Sequence, residues 1–312
     1  MRRIPTFLLL MAAAGACKPD VGRAPSLIVG PEILAIKGEP AEVSPGTSAT
    51  YSFLMAAPGG TVTETQGAWD VCKLPKPPAE SNSVASACVT GAPGMDIGTT
   101  FAASVPSDAC SLFGPNTPSP KPGEPSLRPR DPDVTGGYYV PVRLLVDDGL
   151  GETLRAFEFE RIFCGLSGAP LTAIQEYNKT YQKNSNPALQ GLGLVDSTGM
   201  LVDLLGGAAT VRGDATITLM ASANPDSAEA FPVYDSVSQM LKQDVETLRL
   251  SWFASDGKFE NDRTNADATS LVATNTWTAP QVGEPTIIPL WVVLRDSRGG
   301  TDFVSTSLTV VP

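Results

Sequence analysis

Histidine is missing altogether from this 312-residue sequence. Without imidazole there is no Ser-His-Asp triad, no Cys-His dyad and no histidine-bound zinc or iron. The five cysteines never fall in a C-x-x-C pair, so a thiolate metal site lacks its usual spacing. No Asp-x-Asp-x-Asp-Gly calcium loop occurs. Neither a metal nor a cofactor is therefore expected. Positive charge is also scarce: 22 Lys and Arg stand against 33 Asp and Glu, a net charge of −11. An acidic surface repels the phosphate backbone, which argues against nucleic acid as a partner. Beyond the first residues no apolar run approaches the ~20 residues that a membrane-spanning helix needs.

What is present points to a folded, turn-rich chain. Apolar residues make up 42% and charged residues 18%, as in globular domains, and the length suffices for two cores. The 29 glycines and 28 prolines are scattered, which suits β-structure with many turns. Two stretches read almost alike: Pro141-Val142-Arg143-Leu144-Leu145-Val146-Asp147-Asp148-Gly149 and Pro289-Leu290-Trp291-Val292-Val293-Leu294-Arg295-Asp296-Ser297. Each is an apolar strand that stops at Asp, turns through glycine and resumes at a Thr, the grammar of a β-hairpin. Pro289 lies 148 residues after Pro141, so the chain reads as a duplication. The Asp147-Asp148 pair invites a carboxylate or calcium reading. Because Asp148 alone has a counterpart, Asp296, turn chemistry is the better account.

Met1-Arg2-Arg3 precedes the apolar run Phe7-Leu8-Leu9-Leu10-Met11, as in a secretion signal. It ends in Ala14-Gly15-Ala16-Cys17, which resembles the lipobox of bacterial lipoproteins, with Ala14 in place of the commoner Leu. The resemblance implies a signal peptide over 1–16 and acylation of Cys17. It also implies attachment to a membrane through that lipid, with residues 17–26 as a tether. Lys18 follows where some inner-membrane lipoproteins carry aspartate, so the implied address is the outer membrane, on its periplasmic face or at the cell surface.

From residue 27 the strands follow one another: Ile33 to Ile36, the turn at Pro45-Gly46, Thr50 to Ala56, the turn at Pro58-Gly59-Gly60, and Gln66 to Cys72 with Trp69 facing the core. Strand, turn, strand, Trp strand, then an apolar strand closing on Asp and Gly resembles an immunoglobulin-like sandwich. More narrowly it is similar to the PKD-like modules of bacterial surface proteins. Trp252-Phe253-Ala254-Ser255-Asp256-Gly257 stands where the strict PKD pattern has Trp-Asp-Phe-Gly-Asp-Gly, so the broader class is the one implied. The expectation is an all-β chain of two tandem immunoglobulin-like antiparallel β-sandwiches, 27–165 and 166–312, of a kind that spaces or adheres and does not catalyse.

Four cysteines remain after Cys17, an even set in an exported chain, which implies two disulfides. Three connectivities are possible. The short 16-residue separation favours Cys72–Cys88, leaving Cys110–Cys164, each contributing roughly 3–4 kcal/mol by loop-closure entropy. The interval between Trp69 and Pro141 is much longer than that between Trp252 and Pro289, and its Pro-rich piece from Gly114 to Pro125 cannot enter a sheet centre. That insertion reads equally as a tolerated loop or as a recognition loop.

The second half is read with less internal punctuation. Gly165 to about Leu194 is taken as the connection plus an opening strand, and Ala215 to Ala221 as a second strand. Ser236 to Leu241 is read as one helical turn or a loop, and Val245 to Phe253 as one strictly alternating strand. Trp291 alternates against Leu290 and Val292, which places it on the outer face of its sheet. An exposed Trp there would be a contact for a sugar or protein ligand. The functional expectation is a lipid-anchored, non-catalytic binding or spacer protein of the cell envelope. The alternatives are a carbohydrate-binding or adhesive surface protein and, from another class, a hydrolase using two carboxylates about 5–10 Å apart across a cleft.

Overall fold

The computed structural model describes residues 24–76, 83–92, 94, 96–114, 122, 137–196, 198–207 and 209–312. The N-terminal half holds β1 (Glu32–Glu39), β2 (Glu42–Val43), β3 (Ser48–Ala57), β4 (Gly60–Thr61), β5 (Gly67–Val71), β6 (Asp96–Gly98), β7 (Thr100–Ser104), β8 (Gly137–Asp147) and β9 (Thr153–Phe163), with short helices α1 (Ser86–Thr90) and α2 (Ala109–Leu112). After α3 (Leu171–Thr180) come β10 (Leu189–Val195), β11 (Leu201–Asp203), β12 (Ala209–Arg212), β13 (Thr216–Ala223), β14 (Ala230–Asp235), β15 (Met240–Val245) and β16 (Arg249–Ala254). The chain ends with β17 (Lys258–Phe259), β18 (Arg263–Asn265), β19 (Val272–Thr278), β20 (Thr286–Arg295) and β21 (Thr301–Val311).

Both halves use one plan. In the first, β1, β3, β4 and β7 form one sheet and β2-β9-β8-β5-β6 the other; in the second, the sheets run β11-β10-β13-β19-β17 and β12-β21-β20-β16-β18. Each half opens with a strand in one sheet and then crosses to lay a short strand parallel to its last strand, β2 on β9 and β12 on β21. Every other pairing among the described strands is antiparallel. Strand order and the paired sheets are those of an immunoglobulin-like sandwich. The duplication extends to the register. Pro141 faces Phe159 and Pro289 faces Ser307, both partners displaced by 148 residues. Trp69 faces Leu144 and Trp252 faces Val292, at the same displacement on β20.

Each sandwich has its own core. Tyr51, Trp69, Phe101, Tyr138, Val142 and Leu144 fill the first; Leu219, Trp252, Trp277, Ile288, Leu290 and Leu308 fill the second. The equivalent turns before β3 and β13 sit at positive φ, Gly46 at 79° and Asp214 at 58°, residue types that tolerate the left-handed region.

Four expectations are revised. The connection is not featureless: α3 occupies it, burying Ala173 and Tyr177. Ser236 to Gln239 is the turn of the β14–β15 hairpin and not a helix, and Met240 and Leu241 already belong to β15; Tyr234 of this hairpin packs with Tyr177 and Leu166. Val245 ends β15, so the alternating strand begins only at Arg249. Residues 24–26 are not a free tether, and residue 27 does not simply open the first sandwich. Ala254 N–H donates to Ser26 O at 2.9 Å and Ile28 N–H to Ala254 O at 2.9 Å. The physical reason is an unfilled edge: β18 pairs with β16 only through Arg249, Leu250 and Ser251, and the leader segment takes the vacant polar groups beyond it.

Candidate functional site at the joint between the sandwiches

The sheet carrying β1 and β3 uses both faces. Ala49, Tyr51 and Met55 enter the first core, while Leu54 and Ala56 point the other way. Similarly, Leu290, Val292 and Leu294 of β20 enter the second core and Trp291 and Val293 point out of it. The two outward faces meet, with Ile28, Leu34 and Ala35 among them. The molecule is thus four sheets deep, and the inner two are buried on both sides. Trp291 does lie on the outer face of its sheet, but it is fully buried there, its Nε1 donating to Thr61 Oγ1 at 2.8 Å. The expected exposed ligand contact is therefore corrected: a neighbouring sandwich already covers this indole.

Beside the apolar contact lies a buried ionic cluster. Arg161 Nε donates to Glu42 Oε2 at 3.3 Å, and both side chains are almost wholly buried. Tyr181 Oη and the Asn184 N–H donate to the same carboxylate oxygen at 2.6 and 2.9 Å. Asn184 Nδ2 reaches Asp296 at 3.2 Å. From the hairpin between β20 and β21, Arg298 donates to Glu246 and Glu229, each at 2.5 Å, and to the Gln182 carbonyl at 3.2 Å. Its guanidinium also lies over the Phe231 ring, 4.8 Å from the centroid. Charges so placed are tolerated because each is paired or hydrogen-bonded, although Glu42 Oε1 and Asn184 Oδ1 are buried without a hydrogen-bond partner. Lys37 with Asp302, and Arg295 with the Leu34 carbonyl, close the rim.

Within the first sandwich, burial pushes the Glu160 carboxyl up to about 8, with Tyr51, Glu158 and Glu42 around it. Burial also raises Glu158 to about 7, against the pull of Arg295. Raised acids are what a carboxylate hydrolase needs, but neither Glu158 nor Glu160 lines a described cleft. Glu246, raised by burial to about 7, does line one, and there Arg298 already holds it at 2.5 Å. Asp147 and Asp148 accept from their own turn: Asp148 Oδ1 takes the Leu150 and Glu152 N–H groups at 2.7 and 2.9 Å. Asp296 Oδ1 repeats this with Arg298 and Gly300 at 2.8 and 2.9 Å. Both are turn aspartates. Among the described residues no cluster of Cys, Asp and Glu is arranged to hold a metal ion.

The structure joins Cys72 to Cys88 and Cys110 to Cys164, with Cα atoms 5.9 and 5.6 Å apart. The first bridge fastens α1 over the outer face of β8. There Arg143 donates to Asp70 at 2.7 Å and to the carbonyls of Cys88 and Gly91 at 2.9 and 3.0 Å. Around it Val84, Ala85 and Cys88 pack with Phe157. This part of the insertion is a cover for a sheet face. Cys17 and the signal, together with most of the Pro-rich piece from Gly114 to Pro125, lie outside the described residues.

At the margin of the joint, β4 and residues 62–65 overhang β21 and leave a cleft of about 300 Å³. Phe53, Leu54 and Phe303 lie along it, with Thr63, Thr65, Thr99 and Ser305 at its walls. Sequence reading missed this place because its residues come from three separate stretches. The one available signal was that Leu290 to Leu294 is apolar without alternation, the mark of a strand covered on both faces.

No family model and no curated protein matches the chain. Among solved structures, the D00-D0 domain of intimin is similar at 10% identity and a TM-score of 0.25, covering 91% of this chain and 100% of that one. The N-terminal Ig1-2 module of the Drosophila receptor protein tyrosine phosphatase DLAR is similar at 11% identity and 0.24, covering 91% and 100%. The Yersinia pseudotuberculosis adhesin InvE is similar at 9% and 0.25, covering 88% and 58%. The fold assignment rests on the strand order and register given above.

Proposed function

We propose that this chain is a non-catalytic binding module of the cell envelope, two sandwiches fused into one stiff body and moored through a lipid on Cys17. The observation that carries the reading is the joint. An apolar seam around Trp291 and an ionic cluster around Arg298 leave the sandwiches little freedom to swing. A body of that kind suits presentation of a surface at a fixed distance and angle. The lipobox-like Ala14-Gly15-Ala16-Cys17 supports the mooring, and the burial of Glu160 and the pairing of Glu246 with Arg298 support the absence of turnover. The experiment is expression of the full chain in a bacterial host, followed by mass spectrometry and fractionation. A mature protein starting at an acylated Cys17, and loss of membrane association in Cys17→Ala, are expected. An unacylated mature chain in the soluble fraction would end the mooring, and hydrolysis of any substrate in a glycoside and peptide panel would end the non-catalytic reading.

A second reading, carbohydrate binding, is favoured by one observation: the hydroxyl-lined cleft at the seam.

A further inference from the structure

The chemistry of that cleft is specific enough to name a ligand class. Its apolar lining is Leu54, Val62, Val304 and the ring of Phe303, on the same face of β20–β21 as Trp291 and Val293; Phe53 borders it with its ring turned into the first core, edge-on to Trp69 at 5.7 Å. Its walls are hydroxyls from Thr63, Thr65 and Thr99 on one sandwich and Ser305 on the other. No charged side chain lines it. A ligand entering such a place must have an apolar face to lie on the Phe303 ring and neutral polar groups around its edge. A charged group would lose its hydration with nothing to compensate it. The acidity of the whole chain, −11, repels polyanions further.

The cleft is also held open in advance. The Trp291–Thr61 hydrogen bond ties the overhanging β4 to the second sandwich, and the apolar seam beneath it fixes the two walls relative to each other. Preformed walls spare a ligand the entropy of ordering them. A volume of about 300 Å³ sits at the lower bound for small-molecule sites, which fits one or two sugar rings better than a larger ligand.

We propose that the seam cleft binds the end of a neutral oligosaccharide, with a pyranose face against Phe303 and its hydroxyls exchanging hydrogen bonds with Thr63, Thr65, Thr99 and Ser305. This deepens the binding-module reading and rests on it. The test is isothermal titration and saturation-transfer NMR on the full-length chain. The neutral probes are maltotriose, cellotriose and chitotriose, with trigalacturonic acid as the charged counterpart. At least one neutral trisaccharide should bind, and the acid should bind at least about tenfold more weakly. Thr63→Arg, at an exposed wall position that packing does not depend on, should weaken binding about tenfold or more. Phe303→Ala should do the same, and Val237→Ser on the distant β14–β15 turn should leave it unchanged. Silence from all three neutral probes, equal binding of the acid, or binding that ignores Thr63→Arg would each overturn the proposal. Cleavage of a bound trisaccharide would instead sink the non-catalytic reading and leave the cleft standing.

Discussion

Arg143 and Trp291 hold the same place in the two sandwiches. Each is the residue of the long central strand, 148 positions apart, that projects from the outer face of the sheet. Both are buried, and by different covers. Arg143 lies under α1 and Gly91 of its own sandwich, beside the Cys72–Cys88 bridge; Trp291 lies under the neighbouring sandwich. A sheet face buried against another sheet can be wholly apolar. A face covered by a short loop meets exposed carbonyls, and a guanidinium with several donors satisfies them. The side chain follows the cover, and the insertion is what ends the stack at that side.

The hairpin tips make the same point with the opposite sign. Leu150 and Arg298 are equivalent, yet Leu150 is 77% exposed and Arg298 is 2% exposed. The turn geometry is common to both; only Arg298 has Glu246, Glu229 and Tyr181 within reach. The largest break in this comparison should therefore come from Arg298→Ala. It leaves buried carboxylates unpaired and should cost about 3–5 kcal/mol, while Leu150→Ala stays within about 0.5 kcal/mol; urea denaturation of both variants checks this. Next, replacing Cys110 and Cys164 by Ala should destabilise the first sandwich by about 2–4 kcal/mol. Calorimetry should then resolve its melting ahead of the second sandwich, which has no disulfide among its described residues.

Acidity supplies another lever. Glu160 is held near 8 when folded against 4.5 as a free side chain, so the folded state retains its proton longer than the unfolded chain does. Its contribution is whole below about pH 4.5 and is lost as pH rises toward 8, at up to about 1.4 kcal/mol per pH unit. Melting temperature should fall over that range, and Glu160→Gln should flatten the fall. Least of all, Asp148→Ala should cost about 0.5–1.5 kcal/mol through its lost turn hydrogen bonds. Asp296→Ala should cost more because Asn184 loses its partner as well; parallel thermal melts compare the two.

Local chemistry was legible in the sequence. The paired hairpins, the core-facing Trp69 and Trp252 and the turn aspartates depend on neighbours a few residues away. The joint was not legible, because Glu42, Arg161, Glu246 and Arg298 are charged residues far apart in the chain, and charge in a sequence reads as surface. The β14–β15 hairpin was missed for a related reason. Met240, Lys242, Gln243, Asp244 and Val245 are exposed, so β15 carries no alternating apolar signature. The α3 helix hid behind a polar stretch whose anchors, Ala173 and Tyr177, are only two apolar points.

The strap at Ser26 to Ile28 has a mechanical consequence. Tension applied to the chain upstream of Ser26 arrives at β16, deep in the C-terminal sandwich, before it can reach β1. The load would fall first on two backbone hydrogen bonds at Ala254 and on Ile28 wedged in the seam. A body gripped at its waist in this way resists being peeled from one end.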